Sequence, residues 1–144
     1  MARGFSCRPR HCPNQWGREA RAWFRGMCFP LLPATVLSAV VAYELSVNAR
    51  DRKTRMRLQD FTRPLERTGR VICPTYEDWV KASQIATAIE AKDRGWRSKL
   101  PALQNDMLIA LCGRRAGAMV ITYNAEEFRL IRRHQEFSLR ILVH

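Results

Sequence analysis

An α/β fold, with a central parallel sheet covered on both faces by helices, is what this chain of 144 residues predicts, and three observations lead to it. Short apolar runs at 35–37 (TVL), 71–73 (VIC) and 119–122 (MVIT) alternate with longer stretches of helical period. These runs are apolar on successive residues, as strands buried on both faces must be. With 47% hydrophobic residues, the chain can bury the core of one domain but is too short for two ordinary ones.

The elements follow in order. Residues 1–16 (MARGFSCRPRHCPNQW) show no strand or helix period and are expected to be disordered, with the folded domain spanning 17–144. GREARAWFRG, 17–26, reads as a short basic helix stopped by Gly26. A strand at 35–37 leads into Ser38 as N-cap of a helix over AVVAYELSVNA. Residues 50–70 hold eight bases and three acids interleaved with Met56, Leu58, Phe61 and Leu65, an amphipathic helix with a basic face. After a strand at 71–73, Thr75 caps a long helix whose buried stripe is expected to be Trp79, Ala82, Ile85, Ala86 and Ile89. Residues 95–101 are expected to be a loop, with Asn105 or a neighbour opening the next helix and placing Asp106 near its N-terminus. A strand at 119–122, a short helix over EEFRLIRR and a strand in SLRILV complete the domain.

Charge narrows the partners. The 25 Lys and Arg against 13 Asp and Glu give a net charge of +12, and 21 of the bases are Arg. Guanidinium groups pair bidentately with phosphate, so nucleic acid leads, with an acidic protein or an anionic membrane surface behind it. Five cysteines at irregular spacing are no disulfide framework, which fits a reducing cytoplasm. Cys7, His11 and Cys12 have no second pair at zinc-ligand spacing. The uncharged stretch 26–43 is just long enough to span a membrane, but Pro30 and Pro33 break it, so no membrane association is expected.

Two acids stand out against this background. Glu44 is the only charge between Arg25 and Arg50, and Asp106 the only charge between Lys99 and Arg114. A lone acid at the edge of an apolar helix is commonly solvated or salt-bridged. Two of them placed where the bases are absent suggest a shared acidic site, because a buried carboxylate must be hydrogen-bonded, paired or bound to a cation. In a parallel sheet such sites form at the carboxyl ends of the strands, and this rule gathers Glu44, Asp106 and Asn124 in one region.

The succession SAVVAYEL, a strand ending in Pro, a helix with Trp79, then NDMLIA and GAMVITYNAEEF resembles the PIN domain, and within it the VapC-type toxin ribonucleases of toxin–antitoxin systems. The likeness covers roughly 17–143 and is strongest at 38–45 and 105–128. It implies a three-layer α/β/α fold and a Mg²⁺- or Mn²⁺-dependent endoribonuclease. Glu44, Asp106 and Glu127 would be its metal ligands and, with Asn124, its catalytic residues. Thr122 matches the threonine that ends the strand and is expected to contact nucleic acid with Arg52, Arg55 and Arg57. An RNA substrate, an acidic antitoxin and a homodimer are implied as partners.

One departure is plain. The family opens on a strand ending in aspartate, whereas here the sole acid before Glu44 is Glu19. The first strand is therefore expected to be absent or replaced, the domain incomplete at its N-terminus and the activity impaired. A basic nucleic-acid-binding or antitoxin-binding remnant without chemistry is the alternative.

Overall fold

The computed structural model describes residues 3–5, as backbone, and 32–142. Five strands form one sheet: β1 (Arg3–Phe5), β2 (Thr35–Ser38), β3 (Val71–Ile72), β4 (Met119–Thr122) and β5 (Leu139–Ile141). Their order is β3-β2-β1-β4-β5, and every pairing is parallel. The helices are α1 (Ala39–Asn48), α2 (Arg52–Arg67), α3 (Tyr76–Lys92), α4 (Leu100–Arg115) and α5 (Ala125–Arg132). Crossovers between parallel strands are right-handed. The connection from β2 to β3 steps one way along the sheet and those from β3 to β4 and β4 to β5 step the other, so α1–α2 and α3–α5 cover opposite faces. The three-layer α/β/α architecture of a PIN-like fold results.

The centre of the sheet corrects one expectation. Residues 1–16 were expected to hold no strand, yet Arg3–Phe5 lies between β2 and β4, with Gly4 opposite both Val36 and Val120. A strand bonded on both sides is fixed through its backbone, so three residues without an apolar pattern suffice. The first strand is thus replaced by Arg-Gly-Phe, and β2 and β4 are not left as open edges. The helix expected at 17–26 and the rest of 6–31 lie outside the described residues.

Elsewhere the local signals operate as physical chemistry demands. Ser38 Oγ accepts from Val40 N (3.3 Å) at the start of α1. Thr75 and Asp78 form a reciprocal capping box on α3. All four residues of β2 are buried. The core joins Leu37, Val41, Leu65, Ile85, Ile89, Leu103, Met107, Leu108, Ile109, Val120, Phe128, Ile131 and Phe137.

The stretch after α3 differs from expectation. In place of a loop, a 3₁₀ turn over Arg94–Lys99 feeds directly into α4, with Pro101 in the first helical positions, where its missing N–H costs nothing. Asn105 and Asp106 therefore lie in the second turn of α4, and the stabilisation of Asp106 by a helix N-terminus does not apply. At its other end α4 turns on Gly117, whose φ of +63° favours glycine. Gly113 lets α4 sit close to β4, since a Cβ there would meet Val120 Cγ2 at 3.0 Å. No helix among the described residues is long and apolar enough to cross a membrane.

Candidate acidic site

Three segments far apart in sequence meet at the carboxyl ends of β2 and β4. From β2, the Ser38 cap starts α1, whose second turn carries the half-buried Glu44. Asn105 Nδ2 on α4 donates to Glu44 Oε1 at 2.9 Å. The next residue, Asp106, is 0% exposed, and its Oδ2 accepts from Asn124 Nδ2 at 3.2 Å. Asn124 is set by β4: Thr122 Oγ1 accepts Asn124 N at 3.0 Å, turning the chain into α5. One turn on, Glu127 is 4% exposed in the first turn of α5, where the helix dipole favours an anion.

Glu44 and Asp106 thus lie on the same side of the molecule, linked through adjacent residues of α4. Asn124 links Asp106 to the turn that positions Glu127. The remaining oxygens, Glu44 Oε2, Asp106 Oδ1 and both of Glu127, are shielded from water. Thr122 is 1% exposed and spends its hydroxyl on the chain turn, so its place is inside the fold. Arg52, Arg55 and Arg57 are exposed on α2, and Arg55 Nη1 donates to Arg50 O at 3.0 Å.

The donors are carboxylates supported by side-chain amides, with no sulfur or imidazole in the polar chain described. Such a set suits a hard cation. Among the described residues no three of His, Cys, Asp and Glu form a group that could hold a metal. Mg²⁺ is commonly held by one or two carboxylates while retaining several waters, so in kind the residues fit that ion and not a closed protein cage.

Two features escaped the sequence reading. Asn105 was read as a helix opener, but it is the partner of Glu44; the ND dipeptide was the available signal. The other is a third buried acid, Asp78, which belongs to a structural cluster. Its Oδ2 accepts from Thr75 N (2.9 Å) and from Arg115 Nε (3.2 Å) and Nη2 (3.1 Å), while Arg115 Nη2 also reaches Cys73 O at 2.7 Å. Cys112 Sγ lies 3.8 Å from the same oxygen. Burial first, and then the Asp78 charge, push the Cys112 thiol up to about 11.

A parallel five-stranded sheet with this topology, covered by helices, defines an α/β protein with a PIN-like fold. Among solved structures, the chain is similar to a chain in the structure of FitAB bound to an IR36 DNA fragment. The TM-score is 0.56 at 16% identity, over 94% of this chain and 90% of that one. No family model matches the chain, and no curated protein does.

Proposed function

We propose that this protein is a toxin of the VapC type, a Mg²⁺- or Mn²⁺-dependent endoribonuclease working at a reduced rate, and that an acidic antitoxin restrains it. The observation that carries the reading is the polar chain Glu44–Asn105/Asp106–Asn124, which fixes buried carboxylates at the carboxyl ends of parallel strands in a protein of net charge +12. The PIN-like fold, shared with a chain of the DNA-bound FitAB structure, supports it.

A cation would rest on no more than two of the three acids Glu44, Asp106 and Glu127, with water completing its shell, and Asn124 orients Asp106. A bound divalent cation would neutralise charge on a phosphodiester and supply an activated water near neutral pH. The chain's own part is to keep these oxygens buried and fixed, and to draw the polyanion in with its basic surface. Arg52, Arg55 and Arg57 would contact RNA phosphates. The reduced rate follows from β1, whose Arg-Gly-Phe brings no acid to the site. A homodimer acting in the cytoplasm completes the reading.

A second reading has its own observation. Because no three acids among the described residues form a metal-holding group, a protein that binds nucleic acid or antitoxin without chemistry also fits. Incubation of single-stranded RNA with the protein in Mg²⁺ or Mn²⁺, against EDTA, separates the two. Cation-dependent fragments support the nuclease, and intact RNA that is nevertheless retarded in a gel supports the binder.

A further inference from the structure

We propose that the turn Arg94–Lys99 is a contact for the backbone of single-stranded RNA, delivering it to the acidic site. This deepens the ribonuclease reading and rests on it. Residues 92–99 (KDRGWRSK) carry Lys92, Arg94, Arg97 and Lys99 against a single acid, Asp93. That acid is turned to internal use, since Asp93 Oδ1 accepts from Gly95 N at 2.8 Å and caps the turn. All four bases are exposed. Trp96 anchors the turn by packing against the core, and Lys99 Nζ is held 4.7 Å from its ring centroid. Arg97 lies 3.5 Å from Glu90, but in water such a pair is weak and yields readily to a phosphate.

Position gives this patch its meaning. Gly113 lies against Val120, and Asp106 is bonded to Asn124, so α4 runs antiparallel to β4. The start of α4 and the turn before it therefore extend beyond the carboxyl end of β4, on the side of the acids. Lys99 precedes Asp106 by two helical turns, about 10 Å along the axis. A strand whose phosphates rest on Arg94, Arg97 and Lys99 passes next to Asp106.

The test is fluorescence anisotropy of a labelled single-stranded oligoribonucleotide in EDTA, which stops cleavage by withdrawing the cation and leaves the basic turn unchanged. Replacing Arg94→Glu, Arg97→Glu and Lys99→Glu together should weaken binding at least about tenfold and lower the slope of log affinity against log salt by about 2, three phosphates at roughly 0.7 each. Arg94→Lys with Arg97→Lys should retain binding, and Arg94→Gln with Lys99→Gln gives a milder loss should the triple variant fail to fold. Unchanged affinity and slope in the charge-altered variants overturns the proposal, as does a wild-type chain that binds no RNA at low salt or binds duplex DNA equally through these residues. A chain that binds through the turn but never cuts in Mn²⁺ overturns the ribonuclease reading and leaves this contact standing. One that cuts as well with the turn reversed overturns the contact alone.

Discussion

Asn105 donates to Glu44 across 61 residues of sequence, at 2.9 Å. The bond joins helices on opposite faces of the sheet, and it places Glu44 beside the residue preceding Asp106. Burial of each acid is thereby made tolerable by a neutral amide, which orients a carboxylate without cancelling its charge.

Removing that amide should be felt more in activity than in stability. Asn105→Ala is expected to lower cation-dependent RNA cleavage roughly tenfold, as loss of an outer-sphere partner typically does, and to cost about 1 kcal/mol. Single-turnover cleavage and urea denaturation measure the two effects separately.

Away from the site, Arg115→Ala should destabilise the fold by about 2 kcal/mol, because it strips donors from the buried Asp78 and from Cys73 O. Arg132→Ala removes only an exposed pair with Glu136 and should cost under about 0.5 kcal/mol. The difference between the two urea midpoints tests the ranking.

Thiol chemistry should distinguish the two described cysteines. At pH 8 the exposed Cys73 is expected to alkylate readily while Cys112 does not, since its thiol is buried and raised to about 11. The folded thiol holds its proton more tightly than the unfolded one at 9.0, so this contribution to stability is intact below pH 9 and is lost as pH rises toward 11. Cys112→Ala should flatten the stability profile in that window.

His134 acts in the opposite direction. Burial, then Lys92 and Arg133, hold its imidazole below the usual 6.5. The unfolded chain therefore binds the proton more tightly, and the stability His134 provides is present above pH 6.5 and lost as pH falls below it. His134→Gln should reduce the drop in urea midpoint between pH 7.5 and pH 5.5, with the two values chosen to bracket the usual pKa.

Where local chemistry decides structure, the sequence was legible. Ser38 and Thr75 cap the helices they were read to cap, and the strands at 35–38, 71–72 and 119–122 follow from their apolar runs. Tertiary context overrode three readings. Trp79, placed in the buried stripe of α3, is 48% exposed, because Asp78, held by Arg115, takes the inward position in the first turn ahead of Ala82, Ile85 and Ile89. Pro101 looked like a loop residue and instead occupies the first turn of α4, where its missing N–H leaves no intrahelical bond unmade. Arg3–Phe5 carries no side-chain pattern that marks a strand; its place comes from backbone pairing to two neighbours more than thirty residues away. In the site, Glu44 and Asp106 were singled out by their isolation among apolar residues, Asn124 by the strand-end rule, and Glu127 by the resemblance alone. Asn105 was missed as a partner because the ND dipeptide marks the pair of residues but not the distant helix whose Glu44 its amide reaches.

The most direct measurement of the central claim is the rate of single-stranded RNA cleavage in Mn²⁺ by the wild-type chain, Asp106→Asn, Glu127→Gln and, as an exposed acid outside the site, Glu136→Gln. Cation-dependent cleavage that falls at least about a hundredfold in the first two variants and persists in the third is the predicted result. Cleavage indifferent to Asp106→Asn, or RNA left intact by the wild-type protein at every Mn²⁺ concentration, would contradict it.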